Sequence, residues 1–248
     1  MTLFNAASHW ANVFGILGNI VSFLVFLSPL LTFYRIFKRK STEGFQSVPY
    51  SVSLFSAMLY LYYAFLKGDV NENGTLLITI NSFGIAVEVI YLAIFMRYAT
   101  REAKIYTTKL ILLFNIASYG AIVGLTYMLG NSYLRLVSIG WICAIFSVCV
   151  FAAPLSIMRR VIRTNSVEFM PFPLSFCLTI CAIMWFFYGL LMKDLYIAMP
   201  NILGFLFGIA QMVLYTVYRN RNKNNPNEDA SDIEAVVVES QENAAPTT

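Results

Sequence analysis

Seven long apolar runs separated by short polar segments set the pattern of this chain. They cover about residues 10–33, 46–66, 75–96, 108–129, 135–158, 170–192 and 196–218. Each is close to the roughly 20 residues an α-helix needs to cross a bilayer core of about 30 Å. Inside lipid, only helices or closed barrels satisfy their own backbone polar groups. The pattern therefore predicts an all-α membrane protein with seven transmembrane helices. The first run, Trp10 to Phe33, has no basic segment before it and is too long for a signal-peptide core. A counterpart recurs at Trp141 to Met158, so the first run is read as a retained span. From Asn222 to residue 248 the chain turns polar and loses all periodicity, which predicts a disordered tail.

The runs are not independent. Gly15 to Asp69 recurs as Gly140 to Asp194, displaced by 125 residues without a gap. The identical pairs include Gly15/Gly140, Ser22/Ser147, Phe26/Phe151, Pro29/Pro154, Arg35/Arg160, Glu43/Glu168, Tyr63/Tyr188 and Asp69/Asp194. Apolar composition alone would match some Leu and Ile, but not Pro, Arg, Glu, Tyr and Asp in one register. Beyond Asp69 the displacement falls to 120 residues, pairing Asn81/Asn201, Gly84/Gly204, Tyr98/Tyr218 and Arg101/Arg221. The difference is taken up near Asn71 to Thr75, in a loop that tolerates insertion. Each copy holds three spans, so two copies joined directly would face opposite ways. Span four has no counterpart and returns the chain across the bilayer. The predicted architecture is 3+1+3, with parallel repeats of a triple-helix bundle. The units are 10–98 for the first bundle, 106–130 for the linker helix, 134–220 for the second bundle and 222–248 for the tail.

Charge settles which way the chain faces. Only 12% of residues are charged against 58% hydrophobic, so the few basic positions are informative. Arg35, Lys38, Arg97, Lys104, Arg160 and Arg219 and their neighbours follow the odd-numbered spans, while the other side holds only Lys67, Arg135 and Lys193. The positive-inside bias puts the N-terminus outside and the C-terminus in the cytosol. The net charge of +4 arises in these loops and does not point to nucleic acid. Cys143, Cys149, Cys177 and Cys181 all fall in apolar runs and are expected as buried free thiols. His9 is expected as an exposed end residue. Asn73-Gly74-Thr75 is a glycosylation sequon, placed too near span three for ready modification.

No nucleophile with a base, carboxylate pair or metal cluster is visible, which argues against an enzyme. Glu88 is the one carboxylate clearly inside a span. Such a group is a functional candidate, and a packing contact is an equal alternative. Asn81 and Asn201 are repeat mates about six residues from the outer ends of their spans. An amide there is costly unless it finds partners, and it offers both a donor and an acceptor, as a sugar hydroxyl does. Bonding between helices is the alternative for a single Asn. The mates Tyr60 and Trp185 lie at the same depth and offer rings to the C–H face of a pyranose, or else act as interfacial anchors. Pro29 and Pro154 recur near the cytosolic ends of spans one and five and would kink them. Pro49 and Pro171 begin spans two and six, but pair only after a three-residue shift.

Together these residues resemble the SWEET family of sugar transporters, specifically its plant members. The resemblance covers nearly all of residues 10–220. It is carried by Gly15-Ile16-Leu17-Gly18-Asn19, by Lys40 to Ser47 (KSTEGFQS), by Ala152-Ala153-Pro154-Leu155-Ser156, by Ser166 to Phe172 (SVEFMPF), and by Pro200-Asn201-Ile202-Leu203-Gly204. Parallel repeats about an axis along the membrane normal are the arrangement of that family. The resemblance implies bidirectional facilitated diffusion by alternating access, without a cofactor or bound metal. It assigns sugar contacts to Asn81, Asn201 and Trp185, with Tyr60 where plant members usually carry tryptophan. Ser22 and Ser147 join that set. It implies an outer gate of Tyr63 and Asp194, and a cytosolic proline tetrad of Pro29, Pro49, Pro154 and Pro171. Leu31 breaks the usual Pro-x-Pro after span one. Val25, Ser56, Val150 and Cys181 match the family's size-determining positions. All four are small, which resembles the sucrose-carrying clade, with a leaning toward nectary-type members. The expected partners are a small-molecule sugar (sucrose first, then glucose and fructose) and membrane lipid. Homo-oligomerisation is left open and no nucleic acid is expected. The expected location is the plasma membrane. The alternatives are a monosaccharide-selective carrier of the same family and a seven-helix receptor, which would have no need of two equivalent halves.

Overall fold

A computed structural model of the chain describes residues 2–67, 72–167, 170 and 172–224; side chains of residues 2–6, 72–73, 152–153 and 220–224 are outside the description. Asp69, Glu168, Phe169, Pro171 and the tail from residue 225 therefore lie outside the described residues, as does the side chain of Asn73. Among the described residues, seven helical stretches are long and apolar enough to cross a membrane, and no strand is present.

Span one is two helices, α1 (Thr2–Leu27) and α2 (Leu30–Arg39). Spans two and three are α3 (Val48–Leu66) and α4 (Glu72–Tyr98). Span four is α5 (Arg101–Leu110), a π-helical stretch Ile111–Ser118, and α6 (Tyr119–Tyr127). Span five is again two helices, α7 (Ser132–Val150) and α8 (Ala152–Thr164), followed by α9 (Phe172–Leu191) and α10 (Leu195–Asn224) as spans six and seven.

The repeat shows in the breaks. α1 ends at Leu27, two residues before Pro29, which has no N–H to continue the ladder and instead stands at the N-cap of α2. The interruption in span five falls at Phe151, three residues ahead of Pro154. The prolines thus separate helices rather than bend continuous ones. The carbonyl of Phe26, near the first break, accepts the Tyr91 hydroxyl at 3.0 Å. α2 and α8 then end on repeat mates in left-handed conformation, Lys40 at φ 54° and Asn165 at φ 50°, a conformation that commonly terminates helices.

Packing follows the same symmetry. In each half the third span lies against both others: α4 packs on α1 and α3, and α10 packs on α7 and α9. The halves meet through α1 against α9 and α3 against α7, contacts that exchange when first-half spans are replaced by their second-half mates. The main core joins both halves, with Phe55, Leu59, Tyr63, Ile139, Trp185 and Tyr188 in one cluster. A second core sits in the first half only, where Phe33 stacks on Tyr91 with centroids 4.3 Å apart.

Span four belongs to the first half. Its polar residues meet α3 along its length: Ser47 and Thr107 share a 2.7 Å hydrogen bond, Ser51 donates to Asn115, and the Asn115 amide returns a bond to the Ser51 carbonyl at 2.9 Å. Asn115 lies buried in the π-helical stretch. Span four also begins earlier than hydropathy suggests, at Arg101, because Thr100 caps it by accepting from the Ala103 N–H at 3.3 Å.

The cysteines depart from expectation. All four are free, but only Cys143 is buried; Cys149 is exposed, and Cys177 and Cys181 are half-buried. Apolar sequence context marked membrane spans, and the side of a span that faces lipid is apolar too.

Candidate functional site

Between the halves lies a cavity of about 240 Å³ lined by twelve residues. All twelve fall into repeat-mate pairs. Ser22/Ser147, Phe26/Phe151 and Tyr60/Trp185 are displaced by 125 residues; Leu77/Ile197, Ile80/Pro200 and Asn81/Asn201 by 120. No lining residue is ionisable at neutral pH, so the walls offer hydroxyls, amides and rings without fixed charge.

The asparagines are set alike. Each donates one amide hydrogen to the carbonyl four residues back: Asn81 Nδ2 to Leu77 O at 2.8 Å, Asn201 Nδ2 to Ile197 O at 2.7 Å. That bond fixes the rotamer, and among the described residues no protein group is hydrogen-bonded to either Oδ1. Each amide therefore keeps an acceptor and one N–H for an occupant of the cavity. For Asn201 the local backbone matters as well. Pro200 sits inside α10 and cannot donate to the preceding turn.

Among the hydrogen bonds that cross between the halves, two at the chamber are repeat mates of each other. Trp185 Nε1 donates to Ser22 Oγ at 2.9 Å, and the Tyr60 hydroxyl meets Ser147 Oγ at 2.9 Å. The substitution of phenol for indole at position 60 thus keeps the contact while changing its chemistry, since an indole only donates and a phenol can do either. Glycines seat the rings. A Cβ on Gly18 would lie 3.2 Å from the Trp185 indole. Below the asparagines, a Cβ on Gly84 would meet Phe26 at 2.5 Å and one on its mate Gly204 would meet Phe151 at 3.3 Å.

The cavity is closed on the face that carries the N-terminus. One turn beyond Tyr60, the Tyr63 hydroxyl donates to Asp194 Oδ2 at 2.8 Å, and Lys67 Nζ reaches the same oxygen at 2.5 Å. Asp194 also accepts the Ile197 N–H at 3.3 Å through Oδ1, which fastens the carboxylate to the start of α10. Tyr63 and Asp194 are buried, at 2% and 5% exposure, while the Lys67 side chain remains 23% exposed. Lys67 is a member that sequence reasoning counted only as a topological charge.

The remaining expected residues are placed elsewhere. Cys181 stands behind the wall, its sulfur 3.0 Å from Ser22 Oγ. Val25, Ser56 and Val150 do not line the cavity, and Val150 is 36% exposed. Pro29, Pro49 and Pro154 stand at helix starts toward the basic face, and Pro171 is outside the described residues. Glu88 is buried at 4% exposure away from the cavity, with Oε2 unpaired. Conversely, Phe26, Phe151, Leu77, Ile80, Ile197 and Pro200 line the cavity without having been chosen.

An uncharged chamber built equally from two homologous halves, with a hydrogen-bonded lock on one face, is the arrangement of a membrane carrier. The chain belongs to the SWEET family: its family profile, described as a sugar efflux transporter for intercellular exchange, matches residues 12–103 and 137–223. The two matched segments are the two repeats. The chain is 57% identical over 211 residues to the bidirectional sugar transporter NEC1 of Petunia hybrida, covering 85% of this chain and 78% of that one. It is 56% identical over 211 residues to the bidirectional sugar transporter SWEET13 of Oryza sativa subsp. japonica, covering 85% and 70%. Its fold matches a solved eukaryotic SWEET transporter with a TM-score of 0.80 at 33% identity, covering 87% of this chain and 99% of that one.

Proposed function

We propose that this protein is a bidirectional sugar uniporter that carries sucrose first and hexoses second across the plasma membrane by alternating access. The N-terminus is outside and the C-terminus cytosolic, in keeping with the basic loops. The first bundle, spans one to three, rocks against the second, spans five to seven, with span four riding on the first. Tyr63, Lys67 and Asp194 close the outer side. The helix breaks at Pro29 and Pro154, with Pro49 and Pro171, are the hinges of the cytosolic side.

The observation that carries this reading is the lining of the cavity by six pairs of repeat mates without an ionised group. Asn81 and Asn201 present amides to the hydroxyls of a neutral sugar, and Tyr60 and Trp185 supply flanking rings. The serines to which those rings are bonded are also the partners a sugar hydroxyl would compete for, so substrate entry loosens contacts between the halves. The sucrose preference rests on the small side chains at Val25, Ser56, Val150 and Cys181, which leave room around that chamber as the halves move. Uptake of labelled sucrose and glucose into proteoliposomes tests it. Sucrose uptake exceeding glucose uptake is expected; glucose uptake alone would establish the monosaccharide-selective alternative.

A further inference from the structure

Outside the sugar chamber, two further cavities share a wall. The first, about 360 Å³, opens beside the lock and is lined by Lys67, Lys193 and Asp194 among the rings of Tyr63, Tyr133, Trp141 and Tyr196. The second, about 400 Å³, runs between α7 and α10 and is lined only by apolar side chains and the Cys149 thiol. Trp141, Ala144 and Met199 line both, so the polar cavity continues into the apolar groove. The groove follows α7 from Trp141 to Cys149, about 12 Å at helical rise. Its walls include Ile145, Val148 and Ile202, which are 59%, 45% and 44% exposed. Pro200 lines both this groove and the sugar chamber.

We propose that an anionic phospholipid binds here, its phosphate at Lys193 and Lys67 and one acyl chain in the groove between α7 and α10. Charge and continuity select this occupant. The polar cavity holds two ammonium groups and one carboxylate, a net charge of +1 that a headgroup of charge −1 balances. Among the described residues no carboxylate pairs with Lys193, whereas Lys67 is bound to Asp194. A molecule with an anionic end joined to a hydrocarbon chain fits a cationic pocket that leads into a dry groove. A second copy of this chain would have to fill the same groove with side chains and supply an acidic group of its own. The ring-lined rim suits the headgroup level, where tyrosine and tryptophan collect.

The site bears on transport. A phosphate near Lys67 competes with Asp194 for the same ammonium, which weakens the lock and favours opening on the N-terminal face. This consequence rests on the sugar-carrier reading, but lipid binding itself does not.

Native mass spectrometry of the full chain, purified with equal phosphatidylglycerol and phosphatidylcholine, tests the site. The wild type should retain phosphatidylglycerol over phosphatidylcholine by about fivefold, the scale of one exposed ion pair. Lys193→Gln should erase the preference, and Val148→Trp, which fills the groove, should lower retention of both lipids. Equal retention of the two lipids by the wild type, or a preference that survives Lys193→Gln, overturns the proposal. Efficient cross-linking of Cys149 between two copies in membranes would show a protein in the groove and would also overturn it. Sugar counterflow in vesicles with and without phosphatidylglycerol tests the coupling. A faster rate with the anionic lipid in the wild type, absent in Lys193→Gln, supports the weakened lock. An unchanged rate despite retained lipid refutes that coupling, and no counterflow in any vesicle would fault the carrier reading while leaving the lipid site intact.

Discussion

Asn81 and Asn201 each give one amide hydrogen to the helix backbone and keep the rest for the chamber. Removing either side chain should leave the helix intact and remove contacts that only the substrate uses. Asn81→Ala and Asn201→Ala are therefore expected to cut sucrose uptake about tenfold or more at normal expression, on the scale of losing one buried polar interaction. Loss of expression instead would mean that the amides serve packing. Trp185 and Ser22 act through a single bond of 2.9 Å. Ser22→Ala and Trp185→Phe should thus be non-additive in thermal stability, with a coupling of about 1 kcal/mol in a double-mutant cycle. Additive effects would show that the bond contributes nothing between the halves.

At the scale of the element, the decisive features are breaks and close approaches. A Cβ at Gly84 would stand 2.5 Å from Phe26, but one at Gly204 stands 3.3 Å from Phe151. Gly84→Ala must displace its ring, whereas Gly204→Ala needs a shift of only a few tenths of an ångström. Gly84→Ala is expected to lower Tm by several degrees and to reduce uptake more than Gly204→Ala, a contrast that thermal unfolding and uptake assays would read together. Equal behaviour of the two variants would mean that the rings do not form the floor as placed. These elements were partly legible beforehand. Seven apolar runs and the internal repeat sufficed for the spans and the 3+1+3 order, and they singled out Asn81/Asn201 and Tyr60/Trp185 as mate pairs; Ser22/Ser147 entered the site only through the family resemblance. Phe26/Phe151 was equally available as an identical pair but looked like one more apolar match. Leu77, Ile80 and Ile197 carry no signal in a sequence that is 58% hydrophobic. The bond from Lys67 to Asp194 spans 127 residues and needs the fold to be seen. The amphipathic helices after Pro29 and Pro154 were cut short because hydropathy falls there while helical hydrogen bonding continues.

For the whole molecule, two homologous halves enclose a chamber without fixed charge, so movement of a neutral sugar requires no accompanying ion. Two buried carboxylates among the described residues could break this rule, Glu88 and Asp194; both lie outside the chamber lining, and Asp194 is paired with Lys67. Sucrose exchange is expected to be insensitive to uncouplers, and Glu88→Gln should retain exchange. Collapse of uptake with the proton gradient, abolished together with exchange by Glu88→Gln, would instead reveal a coupled carrier. The equivalence of the halves is tested most directly by counterflow of labelled sucrose in proteoliposomes carrying equal amounts of wild type, Asn81→Ala or Asn201→Ala. Both substitutions should reduce counterflow to about a tenth or less. Rapid counterflow through either variant, with the protein folded and correctly inserted, would show that the two halves do not share one sugar site.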